Sequence, residues 1–241
     1  MEGLGPLLVQ GIDRRWTGLT RRNLYFVGRR DVLRVTLSGI VIGLASLGLS
    51  VQTRTPEDAL LAALVWGEYH RIDSSAYPPQ VKAELERARQ RFVTYRTARR
   101  RPVKSSVEEM LYDAMVRYEG LLMAFTSDRK AQALAVRYVD RLRPCYEWEG
   151  FHGCPEREAS FANEYLAANP NGPFKEYLPL LAAHRWLCTA EAYDYEKRPE
   201  DAARSRRESD AAIQTARRSA DLLVRAGAEA LQARRRCIFS G

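Results

Sequence analysis

Apolar residues recur at helical spacing along most of the chain, and no stretch alternates apolar and polar residues with the period of a β-strand. The clearest stripe follows Pro78-Pro79, with intervals of four, three, four and three residues and charged residues in between. Its apolar members are Val81, Leu85, Ala88, Phe92 and Tyr95. This pattern predicts an amphipathic helix that buries one face.

Capping sequences mark where several helices begin. Thr55-Pro56-Glu57-Asp58 combines a hydroxyl cap, a proline in the first turn and an acid three residues after the cap. Ser105-Ser106 precedes Glu108 and Glu109 in the same way. A second proline, Pro179, is expected either to kink its helix or to lie in its first turn.

A broad apolar face after residue 105 predicts a central helix. Its members are Met110, Leu111, Ala114, Met115, Tyr118, Leu121, Leu122 and Phe125. The last helix is expected to run from near Pro199 toward Arg236, with Gly227 as its breaking point. Short connections favour antiparallel neighbours. The sequence therefore predicts an all-α fold of antiparallel helical hairpins, about seven helices in all.

One hairpin resembles a tetratricopeptide repeat, whose pattern has a tryptophan, a small residue, a tyrosine and an alanine at fixed spacing. Trp186, Ala190, Tyr193 and Ala202 occupy those positions, whereas Thr189 and Arg206 depart from the pattern. The match covers one unit without a second copy at the same period. The resemblance implies TPR-like packing of a helical array, and a partner-binding role only weakly.

Residues 28–53 differ from the rest of the chain, because arginines at 29, 30 and 34 precede an uncharged run over 35–53. Gly28-Arg29-Arg30-Asp31-Val32-Leu33-Arg34 resembles a bacterial twin-arginine signal peptide, although Gly28 and Val32 depart from that motif. The resemblance implies export to the periplasm or the medium, with cleavage expected after Ser50.

An uncleaved membrane anchor over residues 35–53 is the second interpretation, and a buried helix is the third. Glycines and serines in the run weaken both alternatives. The predicted organisation is an N-terminal extension with the signal or anchor over residues 1–50, and a single helical domain over residues 51–241. Contact with a membrane is expected only through the N-terminal segment, if that segment is uncleaved.

The net charge of +8 over 241 residues at first suggests a nucleic-acid partner. Residues 1–50 hold seven arginines and three acids, which leaves 31 basic and 27 acidic residues for the rest. The domain is therefore only mildly basic. Its one dense basic run, residues 96–104, is interpreted as a solvated helix end and loop. No nucleic-acid partner is expected.

The predicted export indicates that the four cysteines form disulfides, because an oxidising compartment favours these bonds. Cys145 and Cys154 lie nine positions apart and are expected to pair, which leaves Cys188 for Cys237. The second pairing requires the chain to fold back, most plausibly around residues 226–228. The sequence alone allows three connectivities.

The loop between the first two cysteines carries aromatic residues that suit a surface for a protein or peptide partner. The candidate partner-binding residues are Tyr146, Trp148, Phe151, His152 and Trp186. The competing interpretation is that these aromatics cap the helical core.

No recognised catalytic, metal-binding or cofactor motif occurs in the sequence. The predicted function is therefore a non-catalytic, exported binding or scaffold protein without a cofactor. The alternative is an extracytoplasmic enzyme or metal-binding protein whose site is assembled from separated Cys, His and Glu residues. His184 and Cys188, four residues apart on one helix, are its best candidates for a shared ion.

Overall fold

The computed structural model describes residues 55–102, 105–145 and 148–239. These residues form eight α helices and two short 3-10 helices, Tyr69–Arg71 and Ser74–Ala76, and no strand. The α helices are α1 (Pro56–Trp66), α2 (Pro79–Arg99), α3 (Ser106–Ala124), α4 (Ala131–Leu142), α5 (Gly153–Ala168), α6 (Leu178–Tyr195), α7 (Pro199–Ala216) and α8 (Leu222–Arg234). The all-α prediction is confirmed.

The predicted helix starts have the expected capping contacts. The Thr55 hydroxyl accepts a hydrogen bond from the Asp58 amide, and the Asp58 carboxylate accepts one from the Thr55 amide. Ser105 caps α3 by accepting from the amide of Glu108 at 3.1 Å. Pro179 lies in the first turn of α6, so that it replaces an amide without an intrahelical partner and does not kink the helix.

Helices α2 and α3 pack side by side in opposite directions. Between α2 and α3, Tyr95 contacts Glu119, whereas Arg99, which is further along α2, contacts Tyr112, which is earlier on α3. The pairs α5–α6 and α6–α7 are in contact as well. The five residues of the predicted α2 stripe are the five that α2 buries. The amphipathic pattern therefore placed this helix correctly.

The central helix is α6 and not α3, which corrects the sequence prediction. Fifteen of the 18 residues of α6 are buried, including the ionisable His184 and Arg185. In α3, by contrast, Met110 is 47% exposed and Leu111 is 42% exposed. Helix α6 packs on α5, α7 and α8, whereas the first turns of α3 extend along α2 beyond most of the core.

The last helix breaks earlier than predicted. Helix α7 ends at Ala216, and Asp221 caps the new helix α8 by accepting from the amides of Leu223 and Val224. Gly227 lies inside α8. A Cβ atom there would lie 2.7 Å from Leu64 Cδ1 and 2.8 Å from Leu180 Cδ2. This glycine therefore permits close packing of α8 on α1 and α6 and does not break the helix.

Several predictions lie outside the described residues. They are the twin-arginine leader, the cleavage after Ser50, the anchor over residues 35–53 and the boundary between residues 50 and 51. Within the described part of the chain, no helix combines the length and apolar character that crossing a bilayer needs. The four residues of the TPR-like match are buried, but any packed helical pair buries such residues, so this resemblance stays a prediction.

Candidate functional site

Two disulfides fix the segments that form the candidate site. Cys145 is bonded to Cys154 across the aromatic loop, with 6.0 Å between the Cα atoms. Cys188 on α6 is bonded to Cys237, with 4.7 Å between the Cα atoms. Both predicted pairings are confirmed. The chain reaches the second one by turning between α7 and α8, at residues 217–221, and not at residues 226–228.

The C-terminal segment, residues 235–239, is held against α6 by main-chain contacts as well as by its cysteine. The Cys237 amide donates to Glu191 Oε1 at 2.7 Å. The Ile238 carbonyl accepts from the Trp66 indole nitrogen and lies 3.0 Å from His184 Nε2. The backbone of this segment is therefore positioned by side chains of α1 and α6.

A small apolar cavity of about 180 Å³, which we call the Trp148 pocket, lies where the disulfide loop, α6 and the C-terminal segment meet. Three large aromatic residues around it are exposed to solvent: Phe151 by 58%, Tyr195 by 78% and Phe239 by 49%. The complete lining is Trp148, Gly150, Phe151, Pro155, Cys188, Glu191, Ala192, Tyr195 and Phe239. Clustered exposed aromatics around a cavity are typical of surfaces that bind partners.

Trp148 forms the inner wall of the pocket. Its ring packs edge-on against Trp66, with 4.8 Å between centroids, and against Phe239 at 6.3 Å. The guanidinium of Arg185 lies 4.9 Å from the Trp148 centroid and 4.1 Å from that of Trp66. Trp148 is thus partly a core residue and partly a pocket residue, which combines the two interpretations that the sequence left open.

A buried ion pair supports this aromatic wall from below. Arg185 and Glu158 are 1% and 2% exposed, and Arg185 Nε donates to Glu158 Oε2 at 2.7 Å. Arg185 also donates to the Val65 carbonyl at 3.2 Å and contacts His184 Nδ1 at 2.8 Å. Glu158 therefore has a structural role.

Both ring nitrogens of His184 have hydrogen-bonding neighbours. A guanidinium only donates hydrogen bonds, so Nδ1 accepts from Arg185. Nε2 lies 3.0 Å from the Ile238 carbonyl oxygen and 3.2 Å from the Ile238 amide nitrogen. Burial, followed by the charge of Arg185, holds the pKa of His184 well below its usual value. This histidine therefore stays neutral in the folded protein.

A possible metal cluster involves His184, Cys188 and Cys237, whose donor atoms lie within 4.8 Å of one another. The two sulfurs are joined in a disulfide, and both ring nitrogens of His184 take part in the contacts above. In this oxidised form, the sulfur atoms and ring nitrogens that could hold a metal ion are therefore already engaged in other bonds. Cys145 and Cys154 are likewise bonded to each other.

His152 lies beside the pocket rather than in its lining. Its ring stacks on Tyr193 with 4.3 Å between centroids, and Nδ1 lies 2.7 Å from Glu196 Oε1. The contacts to the side chain and amide of His152 lower the pKa of Glu196. His152 thereby ties the loop to the end of α6, which favours a positioning role.

The remaining candidate residues divide into three groups. Trp148 and Phe151 line the pocket as expected for partner binding. Trp186 is only 7% exposed, so the structure places it beneath the surface instead of on it. Tyr146 lies outside the described residues.

Sequence reasoning missed the three large side chains that line the pocket from outside the loop: Glu191, Tyr195 and Phe239. Each is remote from the loop in sequence and reaches the pocket through the disulfide at Cys188 and the packing of α6. The one sequence signal was the position of Phe239, two residues after a cysteine. Burial raises the pKa of Glu191, which supplies the only carboxyl group among the lining residues.

No protein-family model matches the chain, and the comparisons with curated proteins and with solved structures give no match either.

Proposed function

We propose that this protein is an exported, non-catalytic helical binding protein that captures a protein or peptide partner at the Trp148 pocket. The observation that carries the proposal is the ring of exposed aromatics, Phe151, Tyr195 and Phe239, around an apolar cavity. The volume of about 180 Å³ suits one apolar side chain of a partner rather than a whole small-molecule ligand.

Rigid walls favour binding because fewer side chains lose freedom when the partner arrives. One disulfide closes the loop that carries Phe151, and the other holds the segment that carries Phe239. Glu191 adds a half-buried carboxyl group at the base. A partner with one large apolar residue next to a hydrogen-bond donor would match this surface.

Export is part of the same proposal. Two points support it: the resemblance of residues 28–34 to a twin-arginine signal, and two disulfides that suit an oxidising compartment. Mass spectrometry of the protein from its native host tests it. We expect a mature chain that begins near Val51, and a cytoplasmic chain that begins at Met1 would contradict export.

A peptide-display selection on the folded domain tests the binding function. We expect enriched peptides that share one large apolar residue, and about tenfold weaker binding to the Phe151→Ala and Tyr195→Ala variants. Gln214→Ala is the control, because Gln214 is exposed on α7 and does not line the pocket. Equal losses in all three variants would contradict a site at the pocket.

The alternative function, an enzyme or metal-binding protein, rests on the cluster of His184, Cys188 and Cys237. Elemental analysis of the protein purified in its reduced form distinguishes the two, because Cys188 and Cys237 can hold an ion as thiolates only when their disulfide is broken. A stoichiometric bound metal would favour the alternative over the binding protein.

A further inference from the structure

A second surface, which we call the arginine groove, lies between α2 and α3 on residues remote from the Trp148 pocket. It encloses about 980 Å³, compared with about 180 Å³ for the Trp148 pocket. Five arginines line it, Arg96, Arg99, Arg100, Arg101 and Arg117, together with the two acids Glu109 and Asp113. The groove is therefore positively charged.

Two of these arginines are neutralised within the fold. Arg96 pairs with Asp113, and Arg99 pairs with the buried Glu119 at 3.1 Å. Among the described residues, the other three have no ion pair with a carboxylate. They provide positive charge that a ligand can neutralise.

Arg117 is the most informative of the three, because it is partly buried. Its guanidinium faces the ring of Trp66, with 5.4 Å to the centroid, and no carboxylate pairs with it among the described residues. Burial, followed by the charge of Arg185, lowers its pKa. A half-buried charge without an ion pair is costly, so an anionic group bound in the groove would recover part of that cost.

The groove also has apolar walls that are exposed. Val93 on α2 is 44% exposed, and Met110 on α3 is 47% exposed, and both line the groove. Val107 and Leu111 lie next to Met110 on α3 and are also exposed. The surface therefore offers cations and apolar contacts together, a pattern that suits an acidic amphipathic peptide.

Two other occupants fit less well. A single-stranded nucleic acid needs open aromatic faces for its bases, but the guanidinium of Arg101 covers the ring of Tyr112 at 4.1 Å. The N-terminal 50 residues of this chain carry seven arginines and three acids, so their net positive charge disfavours them as the occupant.

We propose that the arginine groove between α2 and α3 binds an acidic amphipathic peptide segment of a partner protein. Carboxylates of the segment would pair with Arg117, Arg100 and Arg101, while its apolar residues would pack on Val93 and Met110. The groove shares no residue with the Trp148 pocket. The proposal therefore stands or falls independently of the proposed function.

Fluorescence polarisation with a synthetic peptide tests this proposal. The probe places Glu and Leu at helical spacing, and the comparison peptide replaces every Glu by Gln. We expect the acidic probe to bind at least about tenfold more tightly, and its affinity to fall as salt rises. Equal affinity for the two peptides, or no binding of either, would overturn the proposal.

Variants then locate the binding site. Arg117→Gln and Arg101→Gln are each expected to weaken binding about tenfold, whereas the control Arg129→Gln, on an exposed turn outside the groove, leaves it unchanged. Because Arg101 is exposed, its variant remains informative even if Arg117→Gln unfolds. Tighter binding of a single-stranded oligonucleotide or of anionic phospholipid vesicles, lost in the same variants, would overturn the assignment to a peptide.

Discussion

Arg185 and Glu158 form an ion pair in the centre of the helical domain, with 2.7 Å between Arg185 Nε and Glu158 Oε2 and both side chains almost completely buried. The pair joins α5 to α6 directly beneath the aromatic wall of the Trp148 pocket. Burying two charges costs solvation energy that their mutual attraction recovers only while both partners are present.

Removal of one partner of this pair is therefore expected to be much worse than removal of both. Glu158→Gln should lower the free energy of unfolding by about 3–5 kcal/mol, because it leaves the Arg185 charge buried and unpaired. The double variant Glu158→Leu with Arg185→Leu should be closer to the wild type than either single change. Urea denaturation measures all three. A Glu158→Gln variant within about 1 kcal/mol of the wild type would contradict this account.

Trp148 and Phe151 should behave differently when truncated, although both line the pocket. Trp148→Ala removes contacts with Trp66 and Arg185, so we expect it to lose about 2–4 kcal/mol of stability as well as binding. Phe151 is 58% exposed, so Phe151→Ala should weaken binding with little change in melting temperature. Thermal denaturation alongside a binding titration separates the two effects. A large stability loss in Phe151→Ala would show that the loop packs as core.

His184 should make the protein sensitive to mild acid. Its folded-state pKa lies well below the ordinary value of 6.5, so below about pH 6.5 the unfolded chain takes up a proton that the folded chain excludes. His184 therefore does not reduce the free energy of unfolding above that pH. Below it, the free energy of unfolding falls by up to about 1.4 kcal/mol per pH unit, until the pH reaches the folded-state pKa.

Urea titrations at a series of pH values check the contribution of His184. The comparison is His184→Gln, whose amide nitrogen can still donate to the Ile238 carbonyl. We expect a shallower loss of stability in this variant between pH 6.5 and pH 5. Parallel pH profiles for the two proteins would mean that other groups cause the acid sensitivity.

The two disulfides should differ in their contribution to stability. Cys145–Cys154 closes a separation of nine residues and Cys188–Cys237 one of 49. The chain-entropy relation then gives about 3 kcal/mol for the first and about 4 kcal/mol for the second. Paired Cys→Ser variants, compared by chemical denaturation, measure this order. The second pair should also impair the pocket, because it holds the segment that carries Phe239, and unchanged peptide binding in that variant would contradict this role.

Gly227 should tolerate a methyl group poorly. The Cβ of Gly227→Ala would meet two fully buried leucines, Leu64 and Leu180, below 3 Å. We expect a net loss of about 1 kcal/mol, since the steric cost exceeds the gain in helix propensity. Gly153→Ala is the matched control, because its Cβ would have no neighbour within 4 Å. Equal stability of the two variants would contradict close packing of α8.

The sequence by itself determined the helical class, the capped starts at Thr55 and Ser105 and the buried stripe of α2, and it favoured the two disulfide pairings among three alternatives. These features depend on local chemistry, or on the small number of ways to pair four cysteines. The repeat of apolar residues at helical spacing is visible without any partner helix, and so is a capping hydroxyl before a run of acids.

Only the tertiary structure decided which helix is central and where the last helix ends. Both α3 and α6 carry many apolar residues. Which of the two helices is surrounded by others depends on how the helical hairpins pack together. The break at residues 217–221 contains no proline or glycine, so propensity gave no sign of it, and Asp221 capping α8 becomes visible only in the fold.

Long-range packing also assembles the two candidate sites. Phe151 was predicted from its own loop, but the pocket also needs Tyr195 and Phe239, which come from segments 44 and 88 residues further along the chain. The pairing of Arg185 with Glu158 and the lack of a carboxylate partner for Arg117 among the described residues are likewise relations between helices. Such relations arise from long-range packing, and a single sequence holds no local pattern that records them.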